Sequence, residues 1–358
     1  MAERVYLDWN ATAPLRREAR DAVIAELGAW ANPSSIYSEG RGAKGRLEGY
    51  RDTVLTSLGA LGAQLVFTSG GTEALALALR GTDCERVLVS AIEHSAVLEA
   101  APHAERLPVE ESGRLQLDAL KAALASGPAL VAVMHANNET GVLQPVEDVI
   151  ELVRAAGGRT LVDAVQTAGK YSLPAADYVA LSAHKIGGPP GAGALLVRCA
   201  EDLLAVQKGG GQEQGLRGGT ENLPAIAGFA AALDVAEGGW LADAARRQAL
   251  LEERLGAAGG EIIGAGAERI ATTTMVRLPG MSASSQLMGL DLAGFAVSSG
   301  AACSSGKVGS SHVLAAMGHS TEAAGEAIRI STGWATTDQE VDAFAEAWTT
   351  LARRRRAA

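Results

Sequence analysis

The chain has 358 residues, 47% hydrophobic and 20% charged, which is the composition of a globular protein with room for two domains and a substantial core. Its 31 Lys and Arg against 41 Asp and Glu leave a net charge of −10, which argues against a nucleic-acid or anionic-membrane surface. No apolar run reaches the ~18 residues of a membrane span, the N-terminus lacks a signal-peptide core, and three cysteines make no disulfide framework, so a cytoplasmic protein with reduced thiols is expected.

From residue 60 to 200, short apolar runs alternate with amphipathic stretches. Strands are expected at 64–69, 86–90, 130–135, 159–163, 178–182 and 193–198, each of the first four followed by a helix or by a loop leading to one. That alternation predicts an α/β domain with a largely parallel sheet, whose ligands bind at the carboxyl ends of the strands. Polar clusters begin where these runs stop: Ser69 to Thr72, Glu93 to Ser95, Asn137 to Glu139, Asp163 to Gln166 and Ser182 to Lys185. A helical period over 233–255 leads into a smaller α+β region, with strands at 272–278, 295–298 and 327–331 and a helix at 284–290. The last helix opens with a capping box from Thr337 to Glu340 and carries an apolar stripe of Val341, Phe344, Trp348 and Leu351. The arginine run 353–356 reads as the solvated end of that helix, where its dipole favours positive charge.

Thr68-Ser-Gly-Gly-Thr-Glu73 places two glycines and hydroxyls where a strand meets a helix, a ready phosphate site, although a plain tight turn also explains it. Lys185 follows a strand and precedes Gly and Pro. A lone lysine is ordinarily a solvated group, but Ser182 and His184 beside it can hold a phosphate while the amine reaches an aldehyde. Asp163, ending a strand, suits a pyridinium nitrogen, and equally suits a helix cap. His94, taken alone, reads more readily as a satisfied structural histidine. Cys303 lies in a glycine- and serine-rich stretch, 298–311, that suggests a mobile loop. Cys84 and Cys199 flank apolar runs and read as inert thiols.

Taken in order, these segments resemble the cysteine desulfurases of the nitrogen-fixation and iron–sulfur-cluster type, within the class V aminotransferase group of fold-type I enzymes that use pyridoxal 5'-phosphate (PLP). The matching motifs run over nearly the whole chain: Tyr6-Leu-Asp-Trp-Asn-Ala-Thr12, Asn32-Pro-Ser-Ser35, Thr68-Ser-Gly-Gly-Thr-Glu73, Glu93-His-Ser-Ala-Val97, His135-Ala-Asn-Asn-Glu-Thr-Gly141, Val162-Asp-Ala-Val-Gln166, Ser182-Ala-His-Lys185, Gly209-Gly-Gly-Gln-Glu213, Arg217-Gly-Gly-Thr220, Ser298-Ser-Gly-Ala-Ala-Cys303 and Arg329-Ile-Ser331.

The resemblance implies a large PLP-binding domain over 13–250, and a small domain of 1–12 with 251–358 that carries the cysteine loop. It implies that Lys185 bonds to the cofactor aldehyde and that Gly71, Thr72, Ser182 and His184 hold the phosphate, with Thr220 serving the partner subunit of a homodimer. His94 would lie against the ring and shuttle protons, Asp163 would pair with the ring nitrogen and Gln166 with the phenolic oxygen. Asn138 and Arg329 would hold the substrate carboxylate. Cys303 would take sulfur from L-cysteine as a persulfide and pass it to an iron–sulfur scaffold or a sulfur-carrier protein. No resident metal is expected, although Cys303 could transiently share a cluster. Trp9, Tyr37, Leu75 and Gln214 depart from the family's usual residues. A selenocysteine lyase or another class V aminotransferase is the nearest alternative, and a non-catalytic scaffold of the same fold the remotest.

Overall fold

The computed structural model describes residues 4–198, 203–236, 238–300 and 311–357. Cys303 with most of the loop expected around it, and Cys199, lie outside the described residues. In the N-terminal half the elements run β1 (Val5–Tyr6), α1 (Arg17–Leu27), α2 (Ser38–Ser57), β2 (Gln64–Thr68), α3 (Gly71–Gly81), β3 (Val87–Ser90), α4 (Ser95–Ala100), β4 (Glu105–Leu107), α5 (Leu117–Leu124), β5 (Leu130–Met134), α6 (Val146–Ala155) and β6 (Arg159–Asp163). They continue with β7 (Tyr178–Ser182), β8 (Gly193–Val197), α7 (Leu223–Asp234), α8 (Leu241–Ala257), β9 (Glu261–Ile263), β10 (Thr273–Arg277), α9 (Ala283–Leu292), β11 (Phe295–Ala296), α10 (His312–Ala316), α11 (Thr321–Ala324), β12 (Ala327–Ser331) and α12 (Asp338–Ala357). No single helix among the described residues is long and apolar enough to cross a membrane.

The large sheet has the order β2-β8-β7-β6-β5-β3-β4. Its pairs are parallel except those of β8, which runs against both neighbours, so six strands end on the same side. Alternate residues along each strand feed two cores. Leu65, Phe67, Val131, Val133, Val162 and Leu181 face one side with residues of α2, α6 and α7. Val66, Val89, Leu130, Ala132, Leu161 and Ala180 face the other with α3 and α4. Both faces are covered, which explains why these strands read as near-continuous apolar runs.

A second sheet, β12-β10-β9, is antiparallel and packs with α8, α9 and α12 around Trp348 and Phe344, both fully buried. Trp348 satisfies its indole N–H by donating to Gln286 Oε1 at 3.2 Å. The capping box forms as expected, with Thr337 Oγ1 accepting from Glu340 N–H and the Glu340 carboxylate accepting from Thr337 N–H.

Two expectations are corrected. The helical period over 233–255 is two helices, broken after Asp234 and resumed at Leu241, because Gly238 and Gly239 form a tight 3₁₀ turn with Trp240 where glycine disfavours a continuous helix. The fourth strand has no helix between it and the next. Residues 164–177 cross from β6 to β7 through turns, opened when Asp163 Oδ1 accepts Val165 N–H at 2.9 Å. This stretch is buried on several sides and lacks the one-sided apolar stripe that would pack a helix on the sheet.

The N-terminal arm joins the two sheet systems. β1 pairs with β11 in parallel, Asp8 bridges to Ser331, and Ala13 and Arg16 N–H then donate to the carbonyls of His184 and Gly187 at 2.8 Å.

Candidate active site

Because six strands of the large sheet end together, Thr68, Ser90, Met134, Asp163 and Ser182 lie along one rim. Above that rim is a cavity of about 760 Å³, closed on the far side by Ser298, Gly300, His312 and Arg329. At its base, Gly193 opens β8 so close to the turn before α3 that a Cβ there would lie 2.6 Å from the Gly70 backbone. The 11-residue α3 therefore begins in the cavity wall, with Gly71 and Thr72 at its N-terminus facing Ser182 and His184.

Lys185 sits in a 3₁₀ turn at the end of β7. Its Nζ donates to the carbonyl of Asn10 and, at 3.0 Å, to that of Ala11. Burial, reinforced by the Arg329 guanidinium and opposed by Asp163 and Asp8, brings its pKa down to about 8. His184, one residue earlier, contacts Thr12 Oγ1 at 3.2 Å, and burial beside Lys185 takes its pKa down to about 4.

Asp163 is buried, and burial raises its pKa against the Val165 N–H, His94 and Lys185. His94 caps α4: its Nδ1 accepts Ala96 N–H at 3.1 Å, so the neutral ring carries its proton on Nε2. Burial holds the His94 pKa below the usual histidine value, so the ring is neutral at pH 7. Gln166 donates to the Asn10 carbonyl at 3.1 Å.

Arg329, in β12, is almost fully buried. Its Nη1 donates to the Asn138 carbonyl at 2.8 Å and its Nη2 to Asp8 Oδ1 at 2.7 Å, while its Nε is buried with no partner among the described residues.

Gly71, Thr72, His94, Asn138, Asp163, Gln166, Ser182, His184, Lys185 and Arg329 thus share one cavity. Thr220 is exposed and is not part of its wall. The cavity also holds groups to which sequence reasoning gave no role. Asn10 and Ala11 supply the carbonyls on which Lys185 rests; they lie in the Tyr6 to Thr12 motif, but backbone carbonyls carry no signal of their own in a sequence. Glu139 is buried, its pKa raised by burial, and it accepts a hydrogen bond from Ser311 Oγ. His312 meets the Glu93 carbonyl at 2.9 Å, and nothing in its local sequence marks it. The departures Trp9 and Leu75 are both buried; Trp9 stacks edge-on against Trp334 with centroids 4.7 Å apart, and Leu75 lines the cavity.

A largely parallel sheet with a half-buried lysine, a buried aspartate and a helix N-terminus on one rim defines the class, and comparison with known proteins agrees. The chain belongs to the class V aminotransferase family, whose profile matches residues 5–344. More narrowly, its relatives place it among the cysteine desulfurases. It is 40% identical to a cysteine desulfurase of Cereibacter sphaeroides, over 96% of this chain and 94% of that one. It is 37% identical to the cysteine desulfurase IscS of Anaeromyxobacter sp. (strain Fw109-5), over 94% of this chain and 90% of that one. Among solved structures, a NifS-like protein from Rickettsia africae ESF-5 superposes with a TM-score of 0.90 at 32% identity, covering 98% of this chain and 99% of the other.

Proposed function

We propose that this cavity converts L-cysteine to L-alanine and that the sulfur is held on Cys303 before passing to an acceptor protein for iron–sulfur cluster assembly. The observation that carries the reading is the convergence of Lys185, Asp163, His94 and Arg329 on one cavity.

The residues present fit pyridoxal phosphate. The N-terminus of α3 with Thr72, Ser182 and His184 would hold its phosphate, an anion that free N–H groups and hydroxyls favour. Asp163, anchored through Oδ1 to Val165 N–H, would pair with the ring nitrogen, Gln166 with the phenolic oxygen, and Lys185 with the aldehyde. When bound, the cofactor supplies an electron sink for the pair left when the substrate Cα–H bond breaks.

This chain's own residues do the rest. The remaining N–H groups of Arg329, with Asn138 beside it, hold the substrate carboxylate. The Lys185 amine, whose low pKa leaves a working fraction unprotonated near neutrality, takes the Cα proton and returns it. His94, neutral and protonated on Nε2, is placed to donate to the developing product. The thiolate of Cys303 attacks the substrate sulfur; an S–S bond forms as the C–S bond breaks, the electron pair of that bond stays on carbon, and a proton completes alanine. No external oxidant enters, and a reductant or an acceptor thiol later releases the sulfur.

The same reading assigns 13–250 to the cofactor and 1–12 with 251–358 to a small domain, in line with the separate apolar cluster that joins Leu7 and Leu251 to Trp348. It also includes a homodimer in which Thr220 serves the partner's site, which fits its exposure away from this cavity. The test is to record the visible spectrum of the purified protein and then assay alanine and sulfide from L-cysteine with a reductant. Equal amounts are expected, with Cys303→Ser keeping the cofactor absorbance and losing sulfide. Sulfide at the wild-type rate from Cys303→Ser would remove Cys303 from the mechanism.

A further inference from the structure

Besides the carbonyls on which Lys185 rests, the Tyr6 to Thr12 segment carries one acidic side chain at the site. Asp8 Oδ1 accepts from Arg329 Nη2 at 2.7 Å, and the Asn138 carbonyl takes Nη1 at 2.8 Å. A guanidinium has five N–H donors in a fixed plane. Two are committed by these contacts; one N–H is left on each of Nη1 and Nη2, and the Nε–H is buried without a partner among the described residues.

Asp8 is itself held firmly. Its residue bridges to Ser331 in β12, Ser331 N–H donates to the Leu7 carbonyl at 2.8 Å, and Tyr6 Oη donates to the carbonyls of Asp8 and Thr12 at 2.9 Å. The carboxylate and the Arg329 backbone are therefore parts of one hydrogen-bonded assembly, and rotation of the guanidinium about its last bonds is stopped from two sides.

We propose that Asp8 is a positioning residue for substrate recognition: it orients the Arg329 guanidinium so that the remaining N–H groups of Nη1 and Nη2 present a fork to the α-carboxylate of an amino-acid substrate. The inference rests on the reading of Arg329 as the carboxylate-binding group. Arg329 without Asp8 keeps its charge and loses its orientation, so a long side chain must be ordered anew at each binding event. The cost falls chiefly on binding; Asp8 also favours the Lys185 ammonium, and its loss leaves that amine more readily deprotonated.

The test uses the holoenzyme with L-alanine, the proposed product, and ethylamine, which is alanine without its carboxylate. Binding of each is followed by the change in the visible spectrum of the bound cofactor. In Asp8→Ala the apparent Kd for alanine is expected to rise about tenfold, as loss of one charge-assisted contact implies, while that for ethylamine stays within about twofold. For L-cysteine turnover, KM is expected to rise by a similar factor with kcat changed less than about threefold, and Asp8→Asn, which keeps an acceptor oxygen, is expected to recover part of the loss. In an Arg329→Ala background, Asp8→Ala is expected to add nothing. Equal weakening of both ligands in Asp8→Ala, or of neither, overturns the positioning role. If Arg329→Ala itself leaves alanine binding unchanged, it is the reading of Arg329 that fails; if Arg329→Ala weakens it and Asp8→Ala does not, only the role of Asp8 fails.

Discussion

Lys185 offers the sharpest quantitative check, because its environment acts on a measurable proton. Burial and the nearby Arg329 charge bring its pKa from 10.5 to about 8, while Asp163, Asp8 and the two carbonyl acceptors work the other way by favouring the ammonium. At pH 7 a pKa of about 8 leaves roughly a tenth of the amine free, against roughly three parts in ten thousand for an unperturbed lysine, a gain of about 300-fold in nucleophile. The assay is competitive acetylation of the cofactor-free protein with acetic anhydride over pH 6–11, reading the Lys185 peptide by mass spectrometry against surface lysines such as Lys121. The Lys185 midpoint is expected near 8. In Arg329→Met, which removes a neighbouring positive charge, it is expected to move upward toward 10.5. A wild-type midpoint at the surface value would refute the electrostatic argument, and a downward move in Arg329→Met would refute the part given to Arg329.

Further expectations concern stability. The folded pKa of Lys185 lies below its unfolded value, so the penalty for its ammonium is fully present below about pH 8 and fades as pH rises to 10.5. Lys185→Met is therefore expected to stabilise the cofactor-free protein at pH 7 by about 2 kcal/mol in urea unfolding, with the advantage gone by pH 10.5; no gain at pH 7 would contradict the burial cost. The Arg51–Glu213 pair is buried on both sides, its nitrogens 2.9 and 3.0 Å from the carboxylate, which also accepts Phe67 N–H at 2.8 Å. Glu213→Gln leaves the buried guanidinium with only the half-exposed Glu48 carboxylate, 3.0 Å from its Nε, as counter-charge and is expected to cost about 2–3 kcal/mol, measurable as a lower urea midpoint. Trp348→Ala opens a cavity at the centre of the small sheet's core and is expected to cost about 3–5 kcal/mol; a loss under 1 kcal/mol would mean that this core collapses around the gap.

Strand positions were legible because fully buried parallel strands need short, continuous apolar runs, and all six expected in the large sheet match to within a residue at each end. After 159–163, however, the helix expected is a series of turns. That choice was made by burial around Gln166 and Thr167, which no local period records. The period over 233–255 is interrupted at the Gly238-Gly239 pair, a break that the sequence itself offers, and the two helices pack against different partners, α7 on α1 and α2 and α8 on α12.

At the site, Lys185 and Asp163 follow or end strands whose termini the parallel sheet collects on one rim, although each taken alone also admitted a structural reading, a solvated amine or a helix cap. Arg329, in the middle of β12 of the antiparallel sheet, was singled out only by the family resemblance. What tertiary structure alone decided is which groups complete them. Asp8 and Arg329 are 321 residues apart, and Lys185 rests on carbonyls more than 170 residues away. Backbone carbonyls have no identity in a sequence, and an ion pair across such a separation has no local period, so both came into view only when β1, β12 and the 3₁₀ turn after β7 were placed against one another.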